Sequence, residues 1–479
     1  MFLRLLFAVL FFCRFFGIIQ LIKLAFTALC GKENPMISMH LPPQVELILD
    51  KLKSNGFDSF VVGGAVRSAL MDLEPDDYDI TTSAKPEQIK SIFINTVDIG
   101  ITHGTVGVII DHKLYEVTTF RIESDYKDKR RPDSVVFVDD LLKDLSRRDF
   151  TINAMAYSHS TGVIDPFGGT SDIKECIIRT VGDPLMRFGE DALRMLRAVR
   201  FCAKLGFELE PNTYDAIKKC SELICKISSE RIRIELEKIL LSDGFHHIRT
   251  LKDTGLLEYF MAPLSRCFDT PQKNIRHTKD VSTVASVPKE PVLRWAALLH
   301  DIGKPDTLSI ADDGEHLFYA HALRSADLAR DILNSLMFSN DQKHDILALI
   351  KHHDSKIQPM PAAVKRIVRI VGRDLFLKLL VLKRGDVYAQ NPDMIKMRLA
   401  YIDNIEKIYK HIQDTKQAIT LDDLQIDGRD LIAIGYSPNK QLGEVLEALL
   451  LAVIEKPELN EREVLLLLAA ELKDFIELT

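Results

Sequence analysis

The sequence predicts a multidomain chain: an α+β head, built as a small mixed sheet with flanking helices, followed by an all-α remainder. Three observations point there. Between residues 42 and 121, short apolar runs with a period of 2 alternate with stretches of helical period, the pattern of an α/β or α+β domain. Beyond about residue 186 the strand signals stop and the apolar spacing becomes helical. At 479 residues the chain is also long enough for several domains.

Residues 42–58, PPQVELILDKLKSNGFD, place Val45, Ile48, Leu49 and Leu52 at helical spacing and close on Gly56. The strand-like run Phe60-Val61-Val62 then stops at Gly63-Gly64, and a helix-compatible stretch from Val66 to Met71 leads to Asp77-Tyr78-Asp79. Residues i and i+2 of a strand point to one face, so Asp77 and Asp79 are expected side by side, a costly like-charge pair unless a cation lies between them. Hard oxygen ligands at that spacing suit Mg²⁺, which takes one or two carboxylates together with substrate phosphates. Gly63 and Gly64 let the backbone approach a phosphate closely, and Arg67 offers it a planar cation. The glycines and the aspartates, about a dozen residues apart, suggest a nucleoside triphosphate held over a metal. The alternative is a tight turn followed by an acidic surface strand.

A helix is expected from Ala84-Lys85-Pro86 through Ile89, Ile92 and Phe93. Strand-like runs follow at Thr105–Asp111 and Leu114–Arg121; in the second, alternation puts Glu116, Thr118 and Phe120 on one face. Glu116 is a candidate third carboxylate, or else an exposed edge-strand residue. Residues 123–134, ESDYKDKRRPDS, read as a charged loop in which Lys127, Lys129, Arg130 and Arg131 either touch phosphate or are simply solvated. In DLSRRDFTINAMAY (144–157), Arg147 and Arg148 are flanked by Asp144 and Asp149. Guanidinium forks held in place by carboxylates suit a triphosphate. DPFGG at 165–169 is expected to turn.

The stretch RFGEDALRMLRAVRFCAKLGF (187–207) is expected to be one amphipathic helix. Ala192, Met195, Leu196, Val199 and Ala203 share one arc and Arg194, Arg197, Arg200 and Lys204 another, with Glu190 and Asp191 in the first turn, where the helix dipole favours anions. From residue 272 a second signature appears. Leu293 to Pro305, LRWAALLHDIGKP, is an apolar helix ending in His300-Asp301, with His277 upstream and His321, His352, His353 and Asp386 downstream. Imidazole and carboxylate donors in this pattern suit a catalytic divalent metal, although a single histidine on an apolar face is more often a core residue. Residues 391–479 are helical around a turn-rich module, AITLDDLQIDGRDLIAIGYSPNKQLG (418–443).

Composition sets limits. The apolar fraction of 46% and charged fraction of 27% are ordinary for a globular protein, and a net charge of −7 means that any nucleic-acid surface must be a local patch. Cys13, Cys30, Cys176, Cys202, Cys220, Cys225 and Cys267 form no C-x-x-C pair, so neither a zinc site nor a disulfide framework is indicated, which fits a reducing compartment. The apolar stretch before residue 36 is interrupted by Arg14 and Lys23, and no uninterrupted run reaches the roughly 20 residues that span a bilayer. The expectation is that translation begins at Met36 or Met39; a membrane anchor or a cleaved signal are the alternatives. A cytoplasmic protein is expected, with a membrane partner only if residues 1–35 are retained.

GGAVRSALMDLEPDDYDITT, YEVTTFR, DLSRRDFTINAMAY, DPFGG and EDALRMLRAVRF occur in that order. This series resembles the motifs of bacterial tRNA nucleotidyltransferases (CCA-adding enzymes) and the related poly(A) polymerases. LRWAALLHDIGKP resembles the metal-dependent HD domain, and GRDLIAIGYSPNKQLG resembles the family's tRNA-binding tail. The resemblance covers nearly everything after residue 39 and implies an apolar extension at 1–38, a nucleotidyltransferase head at 39–185, a helical neck at 186–270, an HD-type body at 271–390 and a tRNA-binding tail at 391–479.

The resemblance implies that Asp77 and Asp79 bind Mg²⁺ and activate the 3′ hydroxyl of the tRNA, and Glu116 is a candidate third catalytic acid beside them. Gly63, Gly64, Arg67 and Arg148 then hold the triphosphate, with Arg147, Asp149 and Asn153 in support. Asp191 and Arg194 read the base, with Arg197 and Arg200 alongside, and CTP, ATP and tRNA are the partners. His277, His300, Asp301, His321, His353 and Asp386 are candidates for a second divalent metal. A carboxylate only accepts and a guanidinium only donates, so one such pair suits the amino group and ring nitrogen of C and A and rejects U and G. The family usually has Asp after the motif arginine; here it is Ser68. The rival readings are a poly(A) polymerase, an enzyme adding only A or only CC, a phosphohydrolase working at the HD-type site, and a membrane-anchored RNA-binding protein.

Overall fold

The computed structural model describes residues 39–124, 134–270, 279–312, 316–389 and 392–477. Among these, nine strands build the head: β1 (Ser59–Val62), β2 (Asp79–Thr82), β3 (Thr96–Gly100), β4 (Thr105–Ile110), β5 (Lys113–Thr119), β6 (Arg121–Ser124), β7 (Ser134–Phe137), β8 (Ala156–Ser158) and β9 (Gly162–Ile164). Seven of them form one sheet in the order β3-β4-β5-β2-β1-β8-β9, and β6 pairs with β7 in a separate ribbon. The β2–β5 pair is parallel and the other neighbours are antiparallel, so the sheet is mixed as expected.

The flanking helices follow from the spacing read above. In Pro43–Ser54 the buried residues are Val45, Ile48, Leu49 and Leu52, and Gly56 at φ 83° lets the chain turn back towards β1. Each such side chain stabilises the fold by about 2 kcal/mol when fully buried. All four residues of β1 are buried, which explains why it reads as a continuous apolar run. β3, β7, β8 and β9 carried no legible signal. β3 is an edge strand with three exposed central residues, and β8 and β9 have three residues each, too few to show a period.

The helix expected across 187–207 is two helices, Pro184–Glu190 and Leu193–Leu205, broken at Asp191 (φ −137°, ψ 105°). The Asp191 side chain accepts the Leu193 N–H at 3.0 Å and so starts the second helix. Glu190 therefore closes the first helix and does not open the second. Two small ribbons also extend into the remainder expected to be all helical: Ile177–Ile178 of the head pairs parallel with Glu208–Leu209, and Leu308–Ile310 pairs antiparallel with His316–Phe318.

The chain divides into two units, Met1–Ile239 with Arg249–Tyr259, and Leu240–Ile248 with Phe260–Thr479. The second is built of helices, among them Pro291–Leu299 around the fully buried Trp295, and ends in a tail core of Leu431, Leu449, Leu450, Val453, Leu465 and Ala469. No helix among the described residues is long and apolar enough to cross a membrane. The apolar extension and residues 125–133 of the expected charged loop, with Lys127, Lys129, Arg130 and Arg131, lie outside the described residues, while Glu123, Ser124 and Ser134 of that stretch are not loop but paired ends of β6 and β7.

Candidate active site and a second metal-ligand cluster

Asp79 is the first residue of β2, and Asp77 lies just before the strand. The β2–β5 register pairs Ile80 with Val117 and Thr81 with Thr118, so one step back Asp79 lies beside Glu116 on the same face. All three carboxylates are exposed to one cleft. The Asp79 carboxyl is pushed up from its ordinary value by loss of water around it, then by Asp77, with Arg148 pulling it down and Glu116 adding to the rise. Three carboxylates gathered at one cleft, all of them hard oxygen donors, fit a divalent cation among them.

Gly63 caps the N-terminus of the helix Gly64–Leu70 at φ 70°, ψ −126°. A Cβ there would stand 3.2 Å from Arg148 Nη1, so glycine is required both for the turn and for the approach of that guanidinium. Arg67, on the helix, donates to Asn153 Oδ1 and lies with its guanidinium 5.2 Å from the centre of the Phe201 ring.

One buried carboxylate orients both motif arginines. Asp144, fully buried, accepts Arg147 Nε at 3.0 Å and Nη2 at 2.7 Å through Oδ1, and Arg148 Nη2 at 3.3 Å through Oδ2. Burial works against its charge, but Arg147 and Arg148 outweigh burial and hold its pKa below the ordinary value. Asp149, expected to flank the same pair, turns elsewhere. It accepts Arg197 Nε at 2.9 Å and Asn153 Nδ2 at 3.1 Å, and although burial raises its pKa, Arg197 pulls it down to about 2.

The expected basic arc of the helix Leu193–Leu205 faces this cleft instead of solvent. Arg194 is 8% exposed and donates to Glu190, to Arg187 O at 3.1 Å and to Arg147 O at 3.2 Å. Arg200 pairs with Glu235 and stacks 4.2 Å from the centre of the Phe201 ring. Asp191 is met by Arg231 Nη2, 3.0 Å from its Oδ2. Phe201 and Arg231 were missed from sequence. Phe201 closes the quoted stretch EDALRMLRAVRF but carries no charge to single it out, and Arg231 lies outside every quoted motif, 40 positions from its partner.

Every residue expected to hold nucleotide or metal in the head lines one cleft of about 710 Å³: Gly63, Gly64, Arg67, Asp77, Asp79, Glu116, Arg147, Arg148, Asp149, Asn153, Asp191, Arg194, Arg197 and Arg200. Nine cationic side chains among its lining residues face five carboxylates, a local positive patch in a chain of net charge −7. Such a patch, with carboxylates at one side, can hold a polyphosphate against a cation. Ser68 is not among the lining residues.

The second unit gathers its own cluster. His300, Asp301 and His353 bring ligand atoms within 4.8 Å of one another. The Nε2 atoms of His300, His321 and His353 lie 3.3, 3.5 and 3.7 Å from Asp301 oxygens, and His300 Nε2 is 3.5 Å from Asp386 Oδ1. The Nδ1 atoms of His300, His321 and His353 meet the carbonyls of Ala297, Phe318 and Ile350 at 2.8, 2.9 and 2.7 Å. With each Nδ1 turned to a backbone carbonyl, each Nε2 atom faces inward towards Asp301, the arrangement that orients metal-ligating histidines. Lys304, unforeseen from sequence, pairs with Asp301. His277 lies outside the described residues, and His352 is not part of the cluster.

Residues 59–179 match the Poly A polymerase head domain, 206–266 the probable RNA- and SrmB-binding site of polymerase A, and 275–390 the HD domain. A CCA-adding enzyme of Pediococcus pentosaceus is 37% identical over 433 residues, 88% of this chain and 95% of the relative. One of Ligilactobacillus salivarius is 36% identical over 422 residues, covering 88% and 94%. The crystal structure of the Bacillus stearothermophilus CCA-adding enzyme in complex with CTP superposes with a TM-score of 0.70 at 31% identity, covering 91% of this chain and 99% of that one.

Proposed function

This chain belongs to the family of CCA-adding enzymes, and from that premise we propose that it adds CMP and AMP, taken from CTP and ATP, to the 3′ end of tRNA without a nucleic-acid template, releasing pyrophosphate. The observation that carries the reading is the single cleft in which Asp77, Asp79 and Glu116 face Arg67, Arg147 and Arg148. The division of labour proposed is a head at 39–185, a neck at 186–270, an HD-type body at 271–390 and a tRNA-binding tail at 391–479.

A divalent metal requirement comes with the family. We assign it to Mg²⁺ held by Asp77 and Asp79 with Glu116 beside them, because the donors are all carboxylate oxygens. Bound there with the substrate, the ion lowers the charge on the phosphates and favours the hydroxyl as an alkoxide. The chain's own groups do the rest. The Gly63–Gly64 turn and the guanidinium groups of Arg67 and Arg148 hold the triphosphate in line with the 3′ hydroxyl and stabilise the leaving pyrophosphate. Asp144 keeps Arg147 and Arg148 preset, so little ordering is left for the substrate to impose. Asp191 accepts the amino group of C or A, and Arg194 donates to the ring nitrogen once it exchanges part of its contact with Glu190 for the base.

The test is incubation of the purified protein with tRNA lacking its CCA end and each nucleotide singly, followed by sequencing of the product end. CMP addition is expected first and AMP only after it. Incorporation of AMP alone, in long runs, would show a poly(A) polymerase instead.

For the second unit we propose a divalent metal at His300, Asp301, His321, His353 and Asp386, supported by the three inward Nε2 atoms. Metal analysis of Asp301→Ala after dialysis should show loss of the bound ion relative to the unchanged protein, while Asp77→Ala keeps it. Equal metal content in Asp301→Ala and the unchanged protein would refute the assignment. The protein is proposed to act in the cytoplasm, where its tRNA substrate is.

A further inference from the structure

We infer that Arg231, on the helix Ser229–Leu240, is a positioning residue for nucleotide choice: it fixes the carboxylate of Asp191 so that only a base with an amino group can meet it. The inference rests on the proposed base-reading role of Asp191. The two oxygens of Asp191 have different tasks. Oδ1 accepts the Leu193 N–H at 3.0 Å, which ties the carboxylate to the start of the helix Leu193–Leu205. Oδ2 accepts Arg231 Nη2, also at 3.0 Å. With both ends held, rotation of the carboxylate is blocked and its remaining lone pairs keep one direction. Discrimination between an amino group and a carbonyl depends on that direction, because a free carboxylate turns away from a carbonyl and admits it with a water between.

A second pair makes the arrangement more than one surface contact. Four residues on from Arg231, on the same helix face, Glu235 pairs with Arg200 of the helix Leu193–Leu205. An arginine facing an aspartate and a glutamate facing an arginine admit one register between the two segments and reject a slip by one turn, which would bring like charges together. Both Asp191 and Arg231 line the cleft. Arg231 Nη1 is buried and makes no hydrogen bond within the protein, so the guanidinium is not saturated by structural contacts. The helix falls in the stretch that matches a probable RNA-binding site, so an RNA-contacting role is the alternative that the experiment must separate.

The experiment measures CMP and UMP incorporation into tRNA lacking CCA by Arg231→Met, Arg231→Lys, Arg231→Gln and Asp191→Ala, with the KM for tRNA and the Tm of each. In Arg231→Met the ratio of kcat/KM for CTP over UTP is expected to fall at least about tenfold, with the KM for tRNA unchanged. Arg231→Lys should recover part of the selection because it restores the charge without the fork. Should Arg231→Met fail to fold, selection falling in the order Arg, Lys, Gln among folded variants carries the inference, and equal selection in all three overturns it. A raised KM for tRNA with selection intact also overturns it, in favour of RNA contact. If Asp191→Ala itself keeps selection, the base-reading assignment fails; if it loses selection while Arg231→Met keeps it, only the role of Arg231 fails.

Discussion

Replacing Asp77 and Asp79 together by alanine will lower the rate of CMP incorporation by about a thousandfold or more, because the change removes the carboxylate donors for the ion that stabilises charge on the reacting phosphate. Binding of tRNA should persist, and Tm should hold steady or rise. The Asp79 carboxyl is pushed up in the fold by loss of water and by Asp77, so its ionised form costs stability at neutral pH, a cost that fades as pH falls through the raised pKa. Activity and stability then move apart, as expected where a site stores like charge for function. Steady-state incorporation on CCA-lacking tRNA and a thermal melt read the two effects. Survival of incorporation to within about tenfold would remove these residues from the chemistry.

Asp144→Ala is the second large effect, and it acts on a residue that touches no substrate. Its carboxylate is fully buried and serves Arg147 and Arg148 at once. Breaking a buried pair by removing one partner costs about 3 kcal/mol, at the low end of the range because both guanidinium groups keep some access to water. That is a fall of roughly 10 °C in the Tm of a unit of this size. The KM for CTP should rise by about tenfold or more as two preset cations become mobile. Asp144→Asn, which keeps the shape and two acceptor lone pairs, should lose less of both. The acid limb gives a further check. The folded pKa of Asp144 lies below its ordinary value, so the stability it confers is present above the ordinary carboxylate range and is lost as pH falls through the folded pKa. The variant should therefore lose less stability than the unchanged protein on acidification. An unchanged KM for CTP would show that Arg147 and Arg148 do not hold the triphosphate.

The parts of the site legible in the sequence are those whose chemistry is local. Asp77 and Asp79 are two residues apart on an extended segment, and Gly63 directly precedes a helix whose fourth residue is Arg67. Arg147 and Arg148 follow Asp144 within one turn, so their clamp could be anticipated, although the sharing of Asp149 could not. Asp149 lies next to Arg148 in the chain yet pairs with Arg197, 48 positions away, because the sheet and the helix Leu193–Leu205 meet at the cleft. The arc of Arg194, Arg197 and Arg200 was visible as a period, but not its direction, since an amphipathic pattern does not say whether the polar face meets water or a charged cleft.

The break at Asp191 shows the same limit more sharply. The apolar spacing from Arg187 to Leu205 suits one helix, and the chain breaks it at Asp191, whose side chain caps the next turn and is held from outside by Arg231. In the second unit the pair His300-Asp301 marked candidate metal ligands, whereas the convergence of His321 and His353 on Asp301 depends on how separate helices pack.

By itself, then, the sequence determined the fold class and the family, because these are carried by spacings of a few residues and by ordered motifs. Only the tertiary structure decided which charges pair: Asp149 with Arg197, Asp191 with Arg231, Arg200 with Glu235, and three imidazoles around Asp301. The physical reason is that an ion pair forms over a few ångströms of space whatever its separation along the chain, and burial, which sets both its strength and the direction in which each group faces, exists only after the elements have packed.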